Sequence, residues 1–302
     1  MEYRRLGSLN VSLVGIGCNN FGWRTDEAGT AAVVDSALDA GINLFDTADC
    51  YGAGQSEEYL GKALRGRRNK AIIATKFGIK MGEGKEGARA EYVREALEAS
   101  LKRLRVDTID LYQIHRPDPN TPIGETMEAL NEAVRAGKVR EIGCSNFSVE
   151  QMREARETKH RHQFASIQNE YSLMKRDAEA DVLPECAETG VGFLPYFPLA
   201  NGLLTGKYRK GASFPEASRA KDGFGPKIFN DANLERADAL AAFASSRGHS
   251  LLDLAFSWLA TRPEVSSVIA GAKTPEQVRA NSGAASWKLT AADLAEVNRI
   301  LE

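Results

Sequence analysis

Leu44-Phe45-Asp46-Thr47-Ala48-Asp49-Cys50-Tyr51 begins as a short apolar strand and ends as a polar loop. Asp46 and Tyr51 stand where that strand runs out. The next apolar run, Ala71-Ile72-Ile73-Ala74-Thr75-Lys76, closes on Lys76. The one after it, Ile109-Asp110-Leu111-Tyr112-Gln113-Ile114-His115, closes on His115. Three successive strand-like runs thus each end in an ionisable residue. In a barrel of parallel strands all C-terminal strand ends meet on one face, and catalytic groups collect there. The reading brings Asp46, Tyr51, Lys76 and His115 together.

Working outward, strand signals recur at 13–18, 43–47, 71–76, 108–115, 141–145, 165–170, 192–197 and 266–271. Helical periodicities lie between them at 26–40, 56–64, 90–104, 123–136, 148–159 and 178–189. Gly41, Gly137 and Gly190 follow three of these helices, where a positive φ ends the last turn. Eight strands alternating with helices predict an α/β fold, a (β/α)8 TIM barrel. The strands are apolar without clean alternation, as expected when both faces are covered. Residues 2–14 read as an N-terminal β-hairpin turning at Gly7-Ser8-Leu9-Asn10 and plugging the barrel's N-terminal end. Helices at 233–248 and 251–261 precede the last strand, and extra C-terminal helices follow at 274–284 and 290–301. No linker interrupts the pattern, so residues 1–302 read as a single barrel domain. The stretch 200–230 breaks the rhythm with Gly, Lys, Ser and Pro around Phe214, Phe224 and Phe229. A long loop of this kind in a compact enzyme usually covers a site.

The totals bound the function. At 302 residues the chain exceeds the roughly 250 that a single α/β barrel needs. A composition 43% hydrophobic and 26% charged suits a soluble globular protein. The net charge of -2 gives no reason to expect nucleic acid or an anionic membrane as partner. The dense basic run Arg65, Arg67, Arg68, Lys70 precedes a strand, so it reads as a solvated loop on the face opposite the site. Cys18, Cys50, Cys144 and Cys186 form no C-x-x-C pair and read as reduced thiols, which points to a cytoplasmic protein. The run at 11–18 lacks a cleavage site of small residues. No apolar run approaches the ~18 residues that span a bilayer. The expected partner is a small-molecule substrate, and the expected state a monomer or small homo-oligomer.

The four residues suggest a chemistry. A tyrosine of ordinary pKa about 10 is a weak acid at neutral pH. A nearby ammonium favours the phenolate and lowers that pKa, and a carboxylate keeps the ammonium charged and in place. An Asp–Lys–Tyr chain is therefore a tuned proton donor. A histidine beside it can hydrogen-bond a carbonyl oxygen and orient it. The set protonates an oxygen while something else attacks its carbon. No Ser or Cys nucleophile has an evident partner, and nothing has the spacing of a metal site. The attacker is then a hydride, which no side chain supplies, so a nicotinamide cofactor is implied.

Asp46-Thr47-Ala48-Asp49-Cys50-Tyr51, Ala74-Thr75-Lys76-Phe77-Gly78 and Asp110-Leu111-Tyr112-Gln113-Ile114-His115-Arg116-Pro117-Asp118 resemble the aldo-keto reductases. So do residues 137–147, Leu203-Leu204-Thr205-Gly206-Lys207-Tyr208 and Ile269-Ala270-Gly271-Ala272-Lys273-Thr274-Pro275-Glu276-Gln277. The motifs run in family order from about residue 2 to 300, and the bacterial-type members are nearest. The resemblance implies an NADP(H)-dependent reductase of aldehydes or ketones on a TIM barrel. Tyr51 would be the proton donor, Lys76 and Asp46 would tune it, and His115 would orient the carbonyl. The nicotinamide would lie against Tyr196, its carboxamide held by Ser145, Asn146 and Gln168. Pro198, Leu199, Gly202, Leu204 and Lys207 would take the pyrophosphate. Gly271, Ala272, Lys273, Thr274, Gln277 and Asn281 would take the adenosine end, with Lys273 on the 2′-phosphate. Trp23 is a candidate substrate-pocket wall, as are aromatics of the 208–230 loop.

Three departures stand out. Phe197 stands where many relatives have Ser, Ala270 replaces a common Pro, and Gly271 stands where some have Lys. His115, where some relatives carry Glu, favours carbonyl over carbon–carbon double-bond reduction. Cys50 beside Tyr51 raises the idea of a redox switch, weighed against a small packed residue. A Rossmann G-x-G-x-x-G is missing. The nearest matches, Gly15-Ile16-Gly17 and Gly52-Ala53-Gly54, lack the third glycine and read as turn glycines. Two other functions stay open: a cofactor-binding sensor like the potassium-channel β subunits, and NAD-dependent oxidation of an alcohol or sugar.

Overall fold

The structure is a computed structural model and describes residues 1–214 and 225–302. Strands β1 (Tyr3–Leu6) and β2 (Leu9–Ser12) pair antiparallel about Gly7, whose φ of 57° only glycine adopts readily. Eight further strands follow: β3 (Val14–Gly17), β4 (Leu44–Asp46), β5 (Ile72–Phe77), β6 (Ile109–Ile114), β7 (Val139–Ser145), β8 (Phe164–Gln168), β9 (Gly192–Phe193) and β10 (Val268–Gly271). They form one parallel sheet in the order β10-β3-β4-β5-β6-β7-β8-β9. The gap between β9 and β10 is bridged by the Ser266 N–H donating to Phe193 O at 2.9 Å and the Ile269 N–H to Pro195 O at 3.3 Å. The sheet closes on itself as a (β/α)8 barrel.

The helices are α1 (Glu27–Asp39), α2 (Gln55–Ala63), α3 (Ala90–Leu104), α4 (Ile123–Arg135), α5 (Val149–Glu157), α6 (Val182–Thr189), α7 (Gly225–Ile228), α8 (Asp231–Ser246), α9 (Leu251–Ala260), α10 (Pro275–Ala284) and α11 (Ala291–Leu301). Local chemistry fixes their ends. Asp26 accepts from the Gly29 N–H to start α1, and Ser148 and Gln151 form a capping box for α5. Gly41, Gly137 and Gly190 have φ of 77°, 72° and 74°, the left-handed turn expected of them. The helix predicted over 178–189 is divided: Asp181, at φ −144°, caps Val182 and separates α6 from a short turn at Asp177–Glu179. The strand predicted over 192–197 is only β9, because Pro195 has no N–H to give a ladder. No helix of the described residues is long and apolar enough to cross a membrane.

The hairpin plugs the barrel. Leu6, Leu9 and Val11 form one buried cluster with Leu44, Ala74, Leu111, Leu194 and Ile269. Two sequence expectations are corrected. Gly15 and Gly17 lie inside β3, not in a turn, and a Cβ at Gly15 would meet Ser267 Oγ at 2.9 Å. The basic run, expected as a solvated loop, is exposed at Arg65 and Lys70 but held down at Arg67 and Arg68. Arg68 donates to Asp110 Oδ2 at 2.5 Å and to the carbonyls of Ala71 and Thr108, while Arg67 pairs with Asp35. Those bonds tie the α2–β5 connection to β6 and to α1.

Candidate active site

Asp46 ends β4, Lys76 is the penultimate residue of β5, and His115 follows β6. Parallel pairing in the order β4-β5-β6 carries all three to the same rim. Tyr51 opens a tight turn at Tyr51–Gly54, where Gly52, Ala53 and Gly54 all have positive φ. The turn folds the tyrosine back over the strand ends.

Lys76 is fully buried and donates to Asp46 Oδ2 at 2.6 Å and to Thr47 O at 2.9 Å. Its ammonium lies 5.3 Å from the centre of the Tyr51 ring. Burial works to discharge Lys76, but Asp46 and Tyr51 outweigh it and hold its pKa above the ordinary value. Tyr51 goes the other way from the sequence expectation. Burial pushes its phenol up to about 12, against the downward pull of Lys76. The ammonium tunes the phenol as expected, yet desolvation is the larger effect, and the phenol stays protonated at neutral pH.

The Tyr51 and His115 rings meet edge to face, with centroids 5.8 Å apart. Burial, then the charges of Lys76 and Arg116, push His115 down to about 3. The imidazole is therefore neutral. Its Nδ1 lies 3.8 Å from Cys50 Sγ. Burial and Asp49 push that thiol up to about 11, so it stays an S–H donor. If the thiol donates to Nδ1, the imidazole proton sits on Nε2. A thiol held protonated reacts poorly, which favours the packing role of Cys50 over a redox switch.

These groups open into a cleft of about 570 Å³ on the C-terminal face. Asp46, Tyr51 and His115 line it, and Lys76 sits buried behind Asp46. Ser145, Asn146, Gln168 and Tyr196 line it as a linked set. Tyr196 OH donates to Asn146 Oδ1 at 2.8 Å, Asn146 Nδ2 to His115 O at 3.0 Å, and Ser145 Oγ to Gln168 O at 2.8 Å. Gln168 Nε2 donates to Asp46 Oδ1 at 2.9 Å, so it also holds the carboxylate that holds Lys76.

Pro198, Leu199, Gly202 and Lys207 line the cleft beyond β9, Gly271 lines it at the end of β10, and Lys273, Gln277 and Asn281 line it beyond β10. Leu204 and Ala272 are fully buried outside the lining, and Thr274 caps α10. Trp23 also lies outside the lining, 65% exposed, with the Arg24 guanidinium 4.2 Å over its ring. Tyr208, Phe214 and Phe229 pack on one another with centroids 4.6–5.8 Å apart. Phe224 lies outside the described residues.

Asn19, Asn20, Arg24, Arg116, Asn201 and Thr205 line the cleft and were missed as site residues. Asn19 and Asn20 follow β3, and Arg116 follows β6. The strand-end reasoning that found Asp46 would have found them.

The β9–β10 side suits a group bearing phosphates. The backbone takes positive φ at Phe197, Ala200, Asn201 and Gly202, a tight loop in which the Ala200 N–H donates to Phe197 O and the Gly202 and Leu204 N–H groups to Leu199 O. Gly271 leaves open a spot where a Cβ would meet Asn20 Nδ2 at 3.1 Å. Asn281 Nδ2 is buried without a hydrogen-bond partner among the described residues. Lys207 and Lys273 add positive charge.

Residues 13–302 match the model of the Aldo/keto reductase family. The chain is 38% identical to Aldo-keto reductase YhdN of Bacillus subtilis, over 100% of this chain and 94% of that protein. It is 36% identical to a probable voltage-gated potassium channel subunit beta of Oryza sativa, over 93% of this chain and 90% of that one. Among solved structures, the glycerol dehydrogenase AKR11B4 from Gluconobacter oxydans matches with a TM-score of 0.87 and 35% identity, covering 99% of this chain and 94% of the other.

Proposed function

The chain belongs to the aldo/keto reductase family, and on that premise we propose that it reduces the carbonyl of an aldehyde or ketone with NADPH. The observation that carries this reading is the Asp46–Lys76–Tyr51 group beside a neutral His115, in a cleft whose far side suits phosphates. A bound reduced nicotinamide supplies the hydride, which no side chain can. His115 donates Nε2–H to the carbonyl oxygen and holds it near Tyr51. As negative charge develops on that oxygen, the Tyr51 hydroxyl gives it a proton. The resulting phenolate is stabilised by the Lys76 ammonium. Asp46 keeps that ammonium charged in a place from which water is excluded.

For the cofactor, Ser145, Asn146 and Gln168 would hold the carboxamide and Tyr196 would face the ring. Pro198, Leu199, Gly202, Leu204 and Lys207 would hold the pyrophosphate. Gly271, Ala272, Lys273, Thr274, Gln277 and Asn281 would hold the adenosine end. Lys273, just before the N-terminus of α10, would take the 2′-phosphate and favour NADPH over NADH. Trp23 would form an outer wall of the substrate pocket.

The glycerol dehydrogenase relative is named for alcohol oxidation, and the same residues serve both directions. The test is consumption of NADPH and of NADH with a panel of aldehydes and ketones. Turnover of several carbonyls, faster with NADPH, supports the reading. Tight cofactor binding with no turnover would move the protein to the reading of a cofactor-binding sensor.

A further inference from the structure

Arg116 adjoins His115 at the end of β6, on the carbonyl side of the cleft. Four cations line that cleft: Arg24, Arg116, Lys207 and Lys273. Asp46 is the one carboxylate among the described lining residues, and Lys76 already holds it. Lys273 follows β10. In the closed order β10-β3-β4-β5-β6-β7-β8-β9, strands β6 and β10 are four places apart in either direction. Arg116 therefore stands diametrically across the barrel mouth from Lys273. Lys207 lies beyond β9, also away from β6. A cofactor whose phosphates rest on the β9–β10 side leaves Arg116 to another anion.

The charge of Arg116 is felt inside the site. It lowers the proton affinity of both His115 and Tyr196. Arg116 is exposed and has no hydrogen bond or ion pair among the described residues. Many rim arginines are merely solvated. This one points its field at the group proposed to orient the carbonyl, and no acidic side chain of the cleft wall is left to answer it.

We propose that Arg116 is a specificity residue that selects carbonyl substrates carrying an anionic group, carboxylate or phosphate, on the end away from the reacting carbon. The proposal rests on the reductase reading above. A guanidinium presents a planar fork of donors that matches either anion. An arginine side chain and a neighbouring histidine reach points several ångströms apart, so the anion belongs at the far end of the molecule. A 2-oxo acid, with its carboxylate next to the carbonyl, fits less well.

The test uses matched pairs: 4-carboxybenzaldehyde against 4-carbamoylbenzaldehyde, and glyceraldehyde 3-phosphate against glyceraldehyde. The ratio of kcat/KM within each pair cancels any effect of a variant common to both members. The wild-type ratio should favour the anion in at least one pair. Arg116→Met should lower that ratio about tenfold or more, mainly through KM, and Arg116→Lys should restore part of it. The pair that responds identifies the anion. Equal ratios in wild type and Arg116→Met for both pairs would overturn the proposal. Calorimetric binding of the product analogue 4-(hydroxymethyl)benzoate against its amide separates the two layers of the argument. Weaker carboxylate binding in Arg116→Met with no turnover of any carbonyl supports Arg116 and removes the reductase reading. Turnover with no dependence of carboxylate binding on Arg116 removes the proposal and keeps the reductase.

Discussion

Lys76 Nζ donates to Asp46 Oδ2 at 2.6 Å, with both side chains shut away from water. Neither charge is tolerable there alone. Removing the ammonium leaves a buried carboxylate held by Gln168 and, more weakly, by Gln113 at 3.4 Å. Lys76→Met should therefore destabilise the fold by roughly 3–5 kcal/mol, and Lys76→Met with Asp46→Asn by less than Lys76→Met alone. Urea unfolding of both variants checks this. Equal losses would mean that the pair is not the source of the cost.

His115 and Asp49 predict opposite pH dependences. His115 is pushed down to about 3 in the fold against an ordinary 6.5, so below pH 6.5 the unfolded chain takes up a proton that the folded one refuses. Wild-type stability should fall between about pH 6.5 and 3 through this group, and His115→Gln should fall less steeply over that window. Urea midpoints at pH 7 and pH 4 read the difference between the two proteins.

Asp49 is buried, and both its oxygens lack a hydrogen-bond partner among the described residues. Burial and the neighbouring Glu57 push it up to about 7 from 3.8. Here the folded state holds the extra proton, so stability is lost as pH rises from about 4 to about 7. Asp49→Asn should be stabilised relative to wild type at pH 8 and lose that advantage near pH 4. An unchanged difference across the range would mean that Asp49 is ionised throughout.

Lys273→Ala should raise the KM for NADPH about tenfold or more while changing that for NADH little, since the proposed charge-assisted contact to the 2′-phosphate would be lost. Steady-state kinetics with each cofactor reads it. If both constants changed equally, the 2′-phosphate would have to be held elsewhere.

Much of this is legible in the sequence. Asp46, Lys76 and His115 announce themselves by ending apolar runs, and parallel strands put run ends on one face. Glycine and cap residues set the helix ends to within a few residues. What the chain order hides is contact across the barrel. Gln168 reaching Asp46 joins β8 to β4, and Arg68 reaching Asp110 joins the α2–β5 loop to β6. The raised pKa of Tyr51 is hidden from the sequence because charge neighbours can be read from motifs whereas desolvation depends on the closed structure. Gly15 looked like a turn residue, yet it is a strand residue needed for the close approach of Ser267.

The role proposed for Tyr51 is that of the acid in carbonyl reduction by NADPH. It is tested most directly by following the loss of NADPH absorbance with a reactive aldehyde in wild type and Tyr51→Phe, together with NADPH affinity by fluorescence titration. In the variant kcat should fall by roughly 10²–10⁴ with affinity nearly unchanged. A variant that turns over at the wild-type rate would contradict it and remove Tyr51 from the chemistry.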